Sequence, residues 1–128
     1  MRKMRTLGQM RSEFALKKVL ENQTLKTLKP FSAGAPSMIL QNGFGQALAF
    51  WAAKGKYEHM ALLTVIREWF NKNGNDFFKS NTLEEFMIKI SESSQQDYFE
   101  AQQETMHLLE WVKRYANAFI KDIQKEEA

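Results

Sequence analysis

The chain has 128 residues, of which 26% are charged and none is cysteine, and its formal net charge is +3. This length favours one domain over residues 1–128, and the lack of cysteine excludes disulfides, thiolate catalysis and thiolate metal sites, as expected of a cytoplasmic protein. Because the sequence has no run of about 18 apolar residues and no apolar leader with a small-residue cleavage site, neither a membrane span nor secretion is predicted.

Charge is distributed unevenly along the chain. Residues 1–29 carry eight Lys and Arg against two acidic residues, whereas residues 80–128 carry five Lys and Arg against ten acidic residues. A basic half attracts polyanions and an acidic half attracts basic partners, so copies of the chain could stack head to tail. The alternative is that folding interleaves the two halves and leaves a surface of mixed charge.

Only two prolines, with abundant Ala, Leu, Lys, Glu and Gln, predict an all-α fold, a single compact helical bundle of about five main helices. The first helix is predicted over Arg2–Leu28. Its cations, which include Lys17 and Lys18, form no single stripe, so they favour diffuse attraction to phosphates over a defined groove. Pro30 is predicted to keep the chain out of the helix, with residues 31–35 as a connector.

Residues 36–56 are predicted to form the next helix, which has two unlike faces. The buried face carries apolar residues at helical spacing: Leu40, Phe44, Ala47, Leu48 and Trp51. The opposite face carries small and amide residues: Asn42, Gly45, Gln46, Ala49 and Ala53. Because Gly inside a helix costs about 1 kcal/mol relative to Ala, Gly43 and Gly45 need a use for the space that they leave. Two uses stay open: close packing of another helix, or approach of a sugar-phosphate strand.

Lys54, Gly55 and Lys56 are predicted to end this helix, with Gly at the C-cap and the lysines placed to touch a phosphate. The following helix is predicted over Tyr57–Asn71. His59 lies inside its apolar stripe, which favours a packed imidazole over a catalytic one.

The remaining segments are a surface loop over residues 71–76, a short helix and a long last helix. Asn81 or Thr82 is predicted to open the short helix, with Glu85 in capping-box register. The last helix is predicted over Gln95–Gln124. It carries Arg114, for which the sequence leaves open an ion pair with Glu110 or a contact to phosphate or to a partner.

No constellation of catalytic residues is visible. His59 and His107 have no partner carboxylate or nucleophile at a suggestive spacing, and the carboxylates of the last helix are typical of a solvated face. The sequence therefore predicts a protein that is not an enzyme, with no catalytic residue, no metal site and no cofactor.

Two sequence runs resemble a known family. The run QNGFGQALAFWAAKGK, followed by His59 and Trp69, and the later run HLLEWVKRYANAF are similar to the small helical subunit of the type III-B CRISPR effector, the Cmr complex. The resemblance extends from about Met10 to Phe119. Residues that match positions of the family pattern are Asn42, Gly43, Gly45, Gln46, Lys54, Trp111 and Arg114.

The resemblance implies a non-catalytic subunit that stacks in several copies, contacts other subunits and supports guide RNA–target RNA binding through sequence-independent backbone contacts in antiviral defence. Candidate contacts to RNA or to a partner are Lys17, Lys18, Asn42, Gln46, Lys54, Lys56, Arg67, Lys113 and Arg114. The residues alone leave a second function open, a helical protein–protein interaction module without affinity for nucleic acid.

Overall fold

The structure is a computed structural model that describes residues 4–124. Within these residues the secondary structure consists of six α-helices and one short 3₁₀ turn. Their bounds are α1 Leu7–Glu21, α2 Leu28–Asn42, α3 Phe44–Lys54, α4 Tyr57–Lys72, the 3₁₀ turn Asp76–Phe78, α5 Leu83–Glu92 and α6 Gln95–Phe119. The predicted all-α class is confirmed. None of these helices is long and apolar enough to cross a membrane.

One buried cluster joins all six helices, with α4 and α6 at its centre. α6 packs along both α1 and α2, while α4 contacts α1, α2, α3 and α5. α2 runs antiparallel to α6, as contacts at both ends show. Lys29, near the start of α2, pairs with Asp122 beyond the end of α6. Gly45, just past the end of α2, contacts Tyr98 in the first turn of α6. The largest fully buried side chains include Trp51, Trp69 and Phe44.

α1 is shorter than the predicted helix at both ends. Thr6 caps its start, since the Thr6 hydroxyl accepts from the Gln9 backbone N–H and the Gln9 side chain accepts from the Thr6 backbone N–H. The predicted start at Arg2 lies outside the described residues. The predicted end at Leu28 is wrong, because α1 stops at Glu21 and residues 22–27 form turns.

The predicted connector over residues 31–35 is wrong, since these residues lie inside α2. Pro30 sits in the first turn of that helix, where the backbone N–H would have no intrahelical partner and proline is tolerated. α2 turns Leu28, Ala35 and Ile39 into the core. An apolar face at helical spacing thus outweighed the breaking effect of the proline.

Gly43 divides the predicted helix over residues 36–56 into α2 and α3. Its φ of +87° lies in a region of backbone conformation that residues with a Cβ rarely adopt. Gly43 is both the C-cap of α2 and the N-cap of α3. The change in direction leaves Leu40 68% exposed, although the single-helix prediction placed it in the buried stripe. Phe44, Ala47, Leu48 and Trp51 of α3 are buried as predicted.

The starts of α5 and α6 agree with the local sequence signals that predicted them. Thr82 caps α5 by accepting from the Glu85 backbone N–H, as predicted. The reciprocal half of the predicted capping box is not formed, because the Glu85 carboxylate accepts from the backbone N–H of Asn81, the residue before the cap, and not from that of Thr82. Ser94 caps α6 in the same way through the Asp97 backbone N–H. The predicted end of α6 at Gln124 is wrong, because the helix stops at Phe119 and Ile120 is extended.

Candidate nucleic-acid interface

The bundle brings four helix ends together. Thr27 Oγ1, just before α2, donates to Glu58 Oε2 at 3.2 Å in the first turn of α4, and Lys29 Nζ lies 2.8 Å from Asp122 Oδ1 beyond α6. Gly55 links the end of α3 to the start of α4. We call this region the basic end, because it gathers the cations Lys26, Lys29, Lys54, Lys56, Lys113 and Arg114.

A cleft of about 700 Å³ opens at the basic end, between the start of α2, the last turns of α6 and the segment that follows α6. Its polar lining is formed by Lys29, Lys113, Arg114, Asn117 and Asp122, and its apolar lining by Pro30, Ala33 and Ile123. Arg114 is exposed, and the predicted ion pair with Glu110 is not formed among residues 4–124. The structure therefore brings two of the candidate contacts, Lys113 and Arg114, together with a third cation, Lys29.

Lys54 and Lys56 form a second exposed part of the basic end. The Lys54 Nζ lies 5.4 Å from the centre of the Phe50 ring, which is half-exposed, and Tyr57 next to Lys56 is 85% exposed. Gly55 has a φ of +64° and caps α3, as the sequence predicts. Exposed cations beside exposed aromatic rings suit a single-stranded nucleic acid, because lysines attract phosphates and bases stack on aromatic rings.

The small face of α3 is used partly inside the molecule. The Gly45 backbone N–H donates to the Tyr98 hydroxyl at 2.9 Å, and a Cβ on Gly45 would lie 3.5 Å from that oxygen. The Tyr98 ring therefore packs beside Gly45, but an added Cβ would make only an ordinary van der Waals contact with it, so this packing does not require glycine. Gln46 remains exposed, and Asn42 is exposed with its side-chain amide donating to the Met38 carbonyl at 3.1 Å.

Lys17, Lys18 and Arg67 lie away from the cleft. Lys18 pairs with the carboxylates of Glu68 and Glu21, and the hydrogen bond to Glu68 is the main reason that the pKa of Lys18 is raised. Lys17 is exposed, 3.7 Å from a Glu13 oxygen. Arg67 donates to the Ser80 carbonyl at 3.0 Å and so holds the loop that precedes α5.

We call the opposite end of the bundle the acidic end, because carboxylates line a cleft there, although the cations Arg11, Lys72 and Lys79 also lie in this part of the bundle. Asp97, Glu100 and Glu104 of α6 line a cleft with Gly74 and Asn75, which follow the end of α4. The charge asymmetry of the sequence survives folding only in part. Two ion pairs join the basic residues 1–29 to the acidic residues 80–128, Arg11–Glu104 and Lys29–Asp122, and a third, Lys18–Glu68, joins the basic segment to α4.

One partly buried ion pair, between Arg11 and Glu104, was not found by sequence reasoning. Arg11 Nε and Nη2 each donate to a Glu104 carboxylate oxygen at 2.7 Å, and Trp69 Nε1 donates to Glu104 Oε2 at 2.9 Å. Burial raises the pKa of Glu104, but the hydrogen bonds from Arg11 and Trp69 outweigh it, and the pKa lies below its ordinary value. Because Arg11 and Glu104 are 93 positions apart in the sequence, no local spacing could have indicated the pair.

The two histidines occupy different surroundings. His59 packs against Phe31, with ring centres 4.3 Å apart, as its place in the apolar stripe predicts. Its Nδ1 is buried without a hydrogen-bond partner, and Glu58 Oε1 lies 3.6 Å away. His107 is exposed on α6. Across residues 4–124, no three His, Asp or Glu side chains converge in a way that could hold a metal ion.

Comparison with known proteins gives one consistent result. Residues 7–119 match the family described as CRISPR-associated protein (Cas_Cmr5). The protein named CRISPR system Cmr subunit Cmr5 from Thermus thermophilus is 29% identical over 125 residues, which cover 93% of this chain and the whole of that relative. The crystal structure of a CRISPR-associated Cmr5 family protein, also from Thermus thermophilus, aligns with a TM-score of 0.78 at 27% identity, covering 92% of this chain and all of the other. The resemblance found in the sequence is thereby confirmed, and the chain belongs to the Cmr5 family of CRISPR-associated proteins.

Proposed function

We propose that this chain is a non-catalytic small subunit of a type III-B Cmr ribonucleoprotein effector that works in the cytoplasm in antiviral defence. The observation that carries the proposal is the family match over residues 7–119, together with full-length coverage of a relative named as a Cmr subunit. The proposed role is structural, to hold other subunits and RNA in place, and it requires rigid helices and surface charge but no reactive group.

The basic end supports contact with the backbone of guide or target RNA. Lysine and arginine neutralise phosphates without reading bases, which gives affinity that does not depend on sequence and falls as salt rises. Lys54, Lys56, Lys113 and Arg114 are the candidates that the fold leaves at this end. Asn42 and Gln46 remain candidate contacts on the exposed surface, to RNA or to a neighbouring subunit.

The acidic end supports stacking in several copies. A basic end and an acidic end on the same molecule are complementary in a head-to-tail arrangement, in which every copy presents the same two surfaces. In this arrangement Asp97 and Glu100 of one copy would face cations of the next. We propose that the other Cmr subunits meet the same exposed surfaces at the two ends of the stack.

Native co-purification tests membership of the complex. A tag on this chain in its own host should recover larger subunits together with guide RNA, because a structural subunit is held by several neighbours at once. Mass spectrometry of the eluate identifies the larger subunits, and RNA sequencing identifies the guide RNA. Recovery of the chain alone, or with partners but without RNA, would favour the alternative of a protein–protein interaction module.

Charge reversal at the basic end tests the contact with RNA. We expect Lys54→Glu with Lys56→Glu to weaken binding of single-stranded RNA at low salt by about fivefold or more, since each lysine lost removes a phosphate contact. Both side chains are exposed, so the free energy of unfolding should change by less than about 0.5 kcal/mol.

The matched control is Lys72→Glu with Lys79→Glu. Lys72 occupies the last turn of α4, as Lys54 does in α3, and Lys79 is exposed, as Lys56 is. The control pair therefore changes the net charge by the same amount, but it is remote from the basic end. Equal weakening by both pairs would show that only net charge matters. Early unfolding of the first pair would show that these lysines act as helix caps.

A further inference from the structure

The cationic cleft at the basic end already contains an anion of the protein itself. The Asp122 carboxylate lines the cleft with Lys29, Lys113 and Arg114, and its Oδ1 lies 2.8 Å from Lys29 Nζ. A carboxylate paired with one lysine, in a cleft that two further cations line, occupies a place that suits a phosphate oxygen, since both groups are anionic acceptors that lysine and arginine bind.

Asp122 belongs to a short segment that follows α6 and is anchored where it leaves the helix. We call residues 120–124 the C-terminal strap. Ile120 is buried and extended, and the Gln23 side chain donates to the Phe119 carbonyl at 3.0 Å, which holds the end of α6. Beyond this anchor, Asp122 is 86% exposed and Ile123 is half-exposed. The strap is therefore held at Ile120, and the Lys29 pair is its polar contact at the cleft.

This arrangement allows Asp122 to leave without disturbing the core. An exposed ion pair contributes little to stability because water screens it and two side chains must be held still. A phosphodiester backbone, which brings several charges, can therefore compete with one carboxylate for Lys29. When Asp122 moves away, the cleft gains one free cation and loses one negative charge.

We propose that the C-terminal strap is an internal competitor that lowers the affinity of the cationic cleft for an RNA backbone until the strap is displaced. The inference rests on the proposed function, because it takes a phosphodiester backbone as the ligand. It adds that Lys29, which sequence reasoning did not select, is a contact residue masked by Asp122.

The test compares two aspartates that differ only in location. Asp122→Asn and Asp76→Asn each remove one negative charge from an exposed ion pair with lysine, because Asp76 pairs with Lys79 at 3.0 Å and is 87% exposed. Binding of a short single-stranded oligouridylate and of inorganic polyphosphate is measured at low salt by fluorescence anisotropy competition. Asp122→Asn should bind both probes about two- to fivefold more tightly than Asp76→Asn, the range expected when one exposed pair no longer competes.

A second variant assigns the gain to Lys29. Adding Lys29→Gln to Asp122→Asn should return the affinity to the level of the unchanged protein or below it. Equal affinity of the two Asn variants, a gain that persists without Lys29, a gain limited to the oligouridylate, or no binding of polyphosphate would each overturn the inference. Because the difference between the two Asn variants reports on the cleft and co-purification reports on the complex, the inference and the proposed function can fail separately.

Discussion

Trp51→Ala should lower the free energy of unfolding by about 3–5 kcal/mol, the range for deleting a large buried aromatic side chain. Trp51 is fully buried in α3, with its ring 5.2 Å from the Phe31 ring in an edge-to-face arrangement. Its indole N–H points to the Met38 sulfur at 3.4 Å. Both partners belong to α2, so the deletion empties the contact that holds α3 against α2 after the break at Gly43.

Urea denaturation followed by circular dichroism at 222 nm measures this effect, because helix content reports on the whole bundle. The matched control is Phe50→Ala, the preceding residue of the same helix, whose ring is half-exposed. We expect the control to cost less than about 1 kcal/mol. Trp51→Phe should fall between the two, since it keeps most of the ring contact. Similar losses for Trp51→Ala and Phe50→Ala would contradict a core position for Trp51.

The elements that sequence reasoning located correctly are those whose ends have a local chemical cause. The Thr82 and Ser94 caps, and the bond from the Asn81 N–H to Glu85, satisfy backbone groups within four residues, so their signal is complete within a few letters of sequence. The end of α3 also has a local cause. Gly55 is a left-handed C-cap and Lys54 is a cation in the last turn, so two neighbouring residues carry the signal.

The errors lie where one local signal supports two conformations. Proline disfavours a helix interior and is accepted in a first turn, yet α2 holds one proline in its first turn, Pro30, and a second in its interior, Pro36. The burial of Leu28, Ala35 and Ile39 decides that the helix continues through both. Gly43 weakens a helix whether or not the chain breaks there. The break was decided by packing, since Phe44 and Trp51 reach the core only after α3 changes direction.

The candidate interface was predictable in composition but not in arrangement. The sequence selected Lys113 and Arg114 as candidate contacts, yet the cleft that they line depends on the antiparallel pairing of α2 and α6. Lys29 reaches the cleft only through that pairing. Arg11 likewise finds its partner through a long-range contact, because the packing of α1 on α6 places it beside Glu104. Charge along a sequence therefore predicts an affinity class, whereas the surface that expresses it is set by long-range contacts.

Glu104→Gln should lower the free energy of unfolding at neutral pH by about 1–3 kcal/mol, because it removes a charged acceptor shared by two partly buried donors. Arg11 would lose its only described ion pair, and it would be left beside a neutral amide at the junction of α1 and α6. The Trp69 indole N–H, which ties α4 to the same carboxylate, could still donate to the amide oxygen. The loss should therefore be smaller than for a full deletion of the network.

The pH dependence gives this prediction its sharpest form. The folded-state pKa of Glu104 lies below its ordinary value because the hydrogen bonds from Arg11 and Trp69 outweigh the opposing effect of burial. A carboxyl with a lowered pKa binds fewer protons folded than unfolded, so its stabilisation is fully present above the unfolded pKa of about 4.3 and is lost as pH falls through the folded pKa. Thermal unfolding should thus show the unchanged protein and Glu104→Gln converging as pH is lowered below that value. Glu110→Gln, which removes an exposed carboxyl from the same helix, is the control for the loss of one negative charge. A constant gap between Glu104→Gln and the unchanged protein would mean that the Glu104 carboxyl acts through packing and that its charge is not what holds the three helices together.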